Sequence, residues 1–414
     1  WVLSHCPTRS VDWFKRHHGQ FDRVLYHFGN SHFHAHMLEL IEQIPGVVVL
    51  HDFYISGLQS HHHQGHSGQS WHRMLYASHG YSALLADQTP SDRGAVLWQY
   101  PCNLTVLQQA LGIIVHSDFS LRLAHQWYGN HSKTDWEVIP LLREKPVEQV
   151  KDPVSIRQKL QLPPQAFVVC SFGLVGPHKL HHELLDAFLG SALAKDPNTY
   201  LVFVGANETG PYGQRLLEKI NQSGISSRIR ITGWADVQDY QHYLMVADLG
   251  VQLRTLSRGE TSAAVLDCMI HGIPTIVNAN GSMADLDPSS VWRLEDNFYP
   301  HELSYAIETL WQQAEKRQEI SHKARQILTT RHDPVRCALL YKEALERFYQ
   351  PSRSTWPGHH HNLKKISLSH SEYAQATTSL AQLSPPQLRA RQLLVDISEL
   401  VRHDALSLIH ISEP

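Results

Sequence analysis

A chain of 414 residues is longer than one ordinary hydrophobic core organises, so two or more domains are expected. With 42% hydrophobic and 18% charged residues it reads as a globular protein, and a formal net charge of -3 gives no basic footprint for nucleic acid or an anionic membrane. No apolar run approaches the roughly 20 residues that span a bilayer. Five cysteines (Cys6, Cys102, Cys170, Cys268, Cys337) are odd in number, scattered and without metal-site spacing. Buried free thiols in a reducing cytoplasm are the economical expectation.

The chain opens at Trp1 with no glycine-rich strand-to-helix turn, so an N-terminal domain cut short is expected, with a signal peptide left open. Val24 to Phe28, Val47 to His51, Gly112 to His116 and Trp136 to Ile139 read as short buried strands. His34 to Ile44 and Phe119 to Tyr128 carry helical spacing between them. Gly65 to Ser70 reads as a polar, mobile loop. The histidine clusters 61–63, His66 and 359–361 lie in polar segments without partner carboxylates, so solvated histidines rather than a metal site are expected.

Leu141 to Gln165, with Pro146, Pro153, Pro163 and Pro164, reads as a connection with one short helix. A second alternating set follows. Its strand candidates are Phe167 to Phe172, Tyr200 to Val204, Ile229 to Thr232, Asp248 to Leu253, Pro274 to Val277 and Val291 to Leu294. Leu180, Leu184, Leu185, Phe188, Leu189 and Leu193 mark one helix face, and Tyr240 to Ala247 and Leu266 to His271 fit further helices. Glu302 to Arg331 and Pro334 to Tyr349 read as closing helices. Alternation of this kind predicts two parallel α/β sheets facing a cleft.

The expected organisation is therefore a truncated first domain over 1–143, a second over 144–333, a closing helix over 334–350 and a Ser-, Thr-, His- and Pro-rich linker over 351–391. A strand over Gln392 to Leu400 (QLLVDISEL) would open a further, truncated domain over 392–405. The last nine residues, 406–414, resemble the translation of a sequencing-library adapter and are set aside.

The chemistry concentrates in two stretches of the second half. Ser171 to Lys179, SFGLVGPHK, follows a strand and opens a helix. Gly173 and Gly176 permit close backbone approach, helix N–H groups are available, and Lys179 in the first turn could reach a diphosphate. The same segment also reads as a turn with a solvated lysine, and it lacks the Gly-Lys-Ser/Thr ending of a P-loop. Arg254 to Ala279 runs from a strand end through Arg254, Arg258, Gly259 and Glu260 into a helix. The two guanidinium groups suit paired phosphate oxygens. Glu260, at the helix start, and Asp267, two turns on, would share nearly one face and could hold sugar hydroxyls. Alternatively Glu260 serves the macrodipole, Asp267 is solvated, and Thr261 and Ser262 only cap the helix.

These residues resemble the donor-binding domain of the family-four retaining glycosyltransferases, which have the GT-B fold. That family's hallmark is Glu, seven intervening residues, Glu, and then a Gly-x-Pro strand entry. Here Glu260 is followed by Asp267-Cys268-Met269 and Gly272-Ile273-Pro274, one residue short and with Asp as the second acid. The family's arginine five residues before the lysine is Leu174 here, which leaves Arg254 or Arg258 to supply the second cation. In the first half, Tyr26-His27-Phe28-Gly29-Asn30-Ser31, with His34 and His36, resembles the acceptor-side loop. Pro45 to Asp52 resembles the strand end that sets a histidine, here His51, beside the transferred sugar. Asp52 and His116 would lie on the same side.

The resemblance implies transfer of a hexose, mannose favoured, with retention, from a GDP- or UDP-sugar to a growing glycan or lipid-linked glycan. No cofactor or metal is implied. Lys179, Glu260, His51 and Arg254 would be catalytic. Gly173, Gly176, Arg258, Thr261, Ser262 and Asp267 would complete the donor site, with Asp267 on the ribose hydroxyls. It further implies a bacterial polysaccharide enzyme with a tandem glycosyltransferase domain, cytoplasmic or peripheral at the inner membrane face. Competing readings are an epimerase or phosphorylase on the same fold, and a degenerate module that binds nucleotide and scaffolds a neighbouring catalytic domain.

Overall fold

The computed structural model describes residues 8–64, 68–88, 94–129, 136–146, 153–350 and 369. Two separate parallel sheets organise the chain. The first contains β1 (Leu25–Phe28), β2 (Val47–Leu50), β3 (Gly112–Val115) and β4 (Trp136–Val138) in that spatial order. The second contains β5 (Phe167–Phe172), β6 (Thr199–Val204), β7 (Ile229–Ile231), β8 (Leu249–Gln252), β9 (Thr275–Asn278) and β10 (Trp292–Leu294), ordered β10-β9-β8-β5-β6-β7. Every pairing is parallel. The runs VVVL, GIIV and LVFV are buried throughout, as strands covered by helices on both faces must be. The ten strands expected within the two halves are present, with ends shifted by at most one residue. The fold is α/β with two Rossmann-like halves.

The helices of the first half are α1 (Val11–His17), α2 (Ala35–Gln43), α3 (Ser56–Gln64), α4 (Gly68–Asp87), α5 (Ala95–Gln99), α6 (Leu104–Gln109) and α7 (Asp118–Tyr128). The expected loop at Gly65 to Ser70 is corrected in part, since α4 already begins at Gly68. Helix α3 is capped from a distance: Asn30 Oδ1 accepts the Gly57 and Leu58 amides at 2.8 and 3.1 Å. That cap comes from the loop after β1, so the local pattern around Ser56 did not announce a helix.

The second half adds α8 (Pro153–Lys159), α9 (His181–Gly190), α10 (Pro211–Gln222), α11 (Val237–Val246), α12 (Ala263–His271), α13 (Pro300–Gln312) and α14 (Ala314–Arg331). The expected single helix Glu302 to Arg331 is two helices. Gln313 is extended between them, and Arg317 donates to the carbonyls of Leu310 and Trp311 that the break leaves open. A last helix, α15 (Pro334–Tyr349), starts on an Asp333 cap and returns to the first sheet. There Cys337, Ala344, Leu345 and Phe348 pack on Leu25, Val47, Val49 and Ile114. The Phe348 ring fills the space beside Gly112 where a side chain would sit.

Residues 351–368 and 370–414, with the expected linker, the strand at 392–400 and the set-aside tail, lie outside the described residues, as do His66 and the cluster 359–361. Cys102, Cys170, Cys268 and Cys337 are buried free thiols. Among the described residues no helix is long and apolar enough to cross a membrane, and no three His, Cys, Asp or Glu side chains gather as metal ligands.

Candidate active site

The second sheet reverses its strand order between β5 and β8, which are neighbours. Parallel α/β sheets open a crevice at such a point, beyond the carboxyl ends of the strands. The loop after β5 carries Gly173, Gly176 and Lys179, and the loop after β8 carries Arg254, Arg258 and Glu260. The two loops meet through the Thr255 amide, which donates to the His178 carbonyl at 3.0 Å. Sequence separation of some 75 residues thus becomes adjacency.

Lys179 closes a short 3-10 turn, Pro177–Lys179, two residues before α9, rather than lying in that helix's first turn. Its side chain is 5% exposed, and Nζ donates to the Phe172 carbonyl at 3.3 Å. The ammonium sits directly on Gly173, whose φ of +102° is a left-handed value that glycine tolerates. His181, fully buried, braces the turn. Its Nδ1 lies 3.2 Å from the Gly176 amide and 3.1 Å from the Gly176 carbonyl, and its Nε2 lies 3.3 Å from Ser171 Oγ. Sequence reasoning passed over this histidine.

Arg254, Arg258 and Glu260 are each at least nine-tenths buried. Glu260 lies three residues before α12 rather than at its first turn, and Ser262 is the cap, accepting from the Val265 amide. The Glu260 carboxylate folds into its own loop. Oε2 accepts the Arg258 amide at 2.7 Å and Ser257 Oγ at 3.3 Å, and Oε1 stands 4.0 Å from Arg254 Nε. Asn278, at the end of β9, grips the Arg254 backbone at both its amide (2.8 Å) and its carbonyl (2.6 Å). Thr261 Oγ1 is buried without a hydrogen-bond partner.

Asp267 is a correction. Because Glu260 precedes the helix, the two acids do not share a helical face. Asp267 Oδ1 pairs with Arg143 Nε at 2.8 Å and Oδ2 accepts from Tyr240 OH at 3.1 Å. Burial first, then the adjacent carboxylate, push the Tyr240 phenol's pKa up, so it stays a donor. The second-acid position of the hallmark that the sequence resembles falls on Cys268, fully buried in the core.

On the first sheet, the Asn30 amide donates to Asp52 Oδ2 at 2.9 Å, and Gly29 lies against Asp52 and His34. Ser31 Oγ accepts from the Phe33 amide. His27, His51 and His116 come from β1 and from the ends of β2 and β3, and form a chain across the sheet. His27 Nδ1 to His51 Nε2 is 3.0 Å, His51 Nδ1 to His116 Nε2 is 3.2 Å, and His116 Nδ1 to the Ile139 carbonyl is 2.9 Å. The carbonyl can only accept, so His116 must carry its proton on Nδ1. In the neutral chain His51 then donates from Nδ1 and accepts at Nε2. Burial holds His116 down at about 4, and burial together with His116 and His27 puts His51 well below its ordinary value. Both nitrogens of His51 are therefore engaged within the protein, a relationship no single-strand pattern reveals.

The His51 strand end leads into Phe53 and Tyr54, which touch the second half's loop: the Tyr54 amide donates to the Arg258 carbonyl at 3.0 Å. The structure thus places the loop of Gly173 and Lys179 beside that of Arg254, Arg258 and Glu260, sets Phe53 and Tyr54, just after His51 and Asp52, against Arg258 and Gly259, and leaves Asp267 turned to Arg143.

Comparison with known proteins agrees with this geometry. Residues 154–327 match the model of the family described as glycosyl transferases group 1. Among solved structures, HepE of Anabaena in complex with UDP is similar at 18% identity and a TM-score of 0.58, over 81% of each chain. Sucrose-phosphate synthase of Thermosynechococcus elongatus is similar at 14% identity and a TM-score of 0.58, over 82% of this chain and 76% of that one. WaaG, a glycosyltransferase involved in lipopolysaccharide biosynthesis, follows at 16% and 0.52, over 82% and 84%. No curated protein matches the sequence. The fold is that of GT-B glycosyltransferases, and residues 154–327 are similar to the glycosyl transferases group 1 family.

Proposed function

We propose that the chain transfers a hexose, mannose favoured, from a GDP- or UDP-sugar to a glycan or lipid-linked glycan, with retention at the anomeric carbon. The observation that carries this reading is the convergence of Lys179, Arg254, Arg258 and Glu260 at the strand-order reversal of the second sheet. Two adjoining loops that carry Lys179, Arg254 and Arg258, with a buried carboxylate 4.0 Å from Arg254, suit a diphosphate joined to a hydroxyl-bearing sugar. HepE is named as a complex with UDP, and with UDP and glucose, which supports a nucleotide-sugar donor here.

In this reading the bond from the anomeric carbon to the diphosphate oxygen breaks, and its electron pair leaves on the phosphate. Lys179 and an arginine meet the growing charge, so the step calls for no metal. The acceptor oxygen attacks from the same face and passes its proton to the departing phosphate oxygen. Glu260, already fixed by the Arg258 amide, orients the sugar hydroxyls. Calorimetry with UDP- and GDP-sugars, followed by a donor hydrolysis assay, tests it. Lys179→Ala should cut turnover by about two to three orders of magnitude; near-normal turnover in that variant would refute the assignment.

A second reading has specific support: Asp267 is tied to Arg143, and Cys268 is buried where the family has its second acid. A module that binds nucleotide and scaffolds a tandem catalytic domain would show binding without turnover in the same pair of assays.

A further inference from the structure

The loop that bears Arg258 and Glu260 is held from two sides. Its amides turn inward: those of Arg258 and Gly259 go to Glu260 Oε2 and Ser257 Oγ. Its carbonyls turn outward, and two of them cross to the first domain. The Arg258 carbonyl accepts the Tyr54 amide at 3.0 Å, and the Gly259 carbonyl accepts Ser120 Oγ at 2.6 Å. The third, that of Glu260, accepts Ser282 Oγ at 2.8 Å within its own domain.

Packing follows the same division. The Arg258 guanidinium lies over the Trp98 ring of α5, 4.5 Å from its centroid. Gly259 has a φ of +89°, and a side chain there would run into Phe53 Cβ and, at 3.2 Å, Leu123. Beside it, Arg122 Nη2 pairs with Asp285 at 2.7 Å. The receiving surface is itself rigid. Asn103 donates to the Phe53 carbonyl, Trp127 Nε1 donates to Tyr54 OH at 3.1 Å, and Ser120 is 1% exposed in the first turn of α7.

We propose that Ser120 is a positioning residue of the donor site, acting from the opposite domain: its hydroxyl, with the Tyr54 amide, fixes the Arg258–Glu260 loop in the form that receives a nucleoside diphosphate sugar. The inference rests on the donor-site reading above. Its physical basis is that a buried carbonyl without a donor is costly, so the loop keeps this shape only while docked on α7 and on the β2 strand end. Donor affinity and domain docking are then linked, each favouring the other by the same factor.

The experiment uses the full chain and three variants. Ser120→Ala removes the hydroxyl, Ser120→Thr retains one, and Asp333→Ala removes the α15 cap while leaving the Gly259 contact in place. Amide hydrogen exchange at Tyr54 and over 257–260 reads docking without nucleotide. Calorimetry with UDP and GDP, and kcat and KM for donor hydrolysis, read the site. Ser120→Ala should speed exchange at Tyr54, weaken the preferred nucleotide by about 5- to 30-fold and raise KM more than it lowers kcat. Ser120→Thr should restore affinity, and Asp333→Ala should lower Tm while affinity holds. Faster exchange with unchanged affinity, or unchanged exchange, overturns the inference, as does an equal loss in Asp333→Ala. A wild-type chain that binds neither UDP nor GDP instead refutes the donor-site reading, and is recognised before any variant is made.

Discussion

Lys179 rests its ammonium on the backbone of Gly173, filling the space that a side chain at that position would need. The contact ties the cation to the end of β5 and explains why a buried lysine can stand there: Nζ donates to the Phe172 carbonyl and is turned to the crevice edge where the strand order reverses.

Gly173→Ala should therefore harm the site as much as loss of the lysine does. A methyl group would displace Nζ, and a φ of +102° is strained for an L-residue, at a cost of about 1–3 kcal/mol. Thermal unfolding and nucleotide calorimetry of Gly173→Ala, Lys179→Ala and the double variant check this. The double variant should lose no more affinity than either single one, because both remove the same cation. Wild-type affinity in Gly173→Ala would show that Lys179 does not depend on this seat.

The first domain should weaken in acid. Burial lowers His34 and His116 to about 4 and His51 well below its ordinary value, so the folded state resists protonation that the unfolded chain accepts near 6.5. Between pH 6.5 and about 4 the unfolded state binds more protons, so stability rises with pH across that window and is fully present above it. His34 and His116 each contribute up to about 3 kcal/mol of this slope. In the His27–His51–His116 chain, a proton on His116 Nε2 would face the His51 Nδ1–H and break the ladder. Tm measured from pH 7.5 to 4 should fall steadily below 6.5, and His116→Gln should flatten the descent. A Tm equal at pH 7 and 4.5 would contradict it.

How much of this was legible in the sequence follows from which forces are local. Parallel strands buried on both faces are continuous apolar runs, so Phe167 to Phe172 could be bounded to the residue. Arg254, Arg258 and Glu260 stood out because charge crowded a loop between two such runs. What was illegible is tertiary. Ser120, Trp98 and Tyr54 are ordinary residues until folding sets them against Arg258 and Gly259. His181 and Asn278 act on backbone atoms far along the chain, and His51's two partners come from other strands. The expectation that Glu260 and Asp267 share one helical face failed for a definite reason. Helical phase was counted from Glu260, whereas the helix starts at Ala263 behind a Ser262 cap.

That failure makes Asp267 a discriminating position. Its carboxylate joins α12 to Arg143 in the connection leaving the first sheet, and both side chains are 14% exposed. Arg143 also donates its amide to the His332 carbonyl at 2.8 Å, just before α15 turns back to the first sheet. Asp267 is thus a fastener of the interdomain connection, with Tyr240 as its second donor. Asp267→Asn keeps the shape and the Tyr240 contact but removes the charge opposite Arg143. It should cost about 1–3 kcal/mol, below the loss for a fully buried pair because some water reaches both groups. UDP and GDP affinity should stay within about twofold, since a change of that size corresponds to less than half a kcal/mol. Thermal unfolding and calorimetry on the same preparation separate the outcomes. An unchanged Tm with affinity reduced tenfold or more would return Asp267 to the ribose hydroxyls and require Arg143 to release it when donor binds.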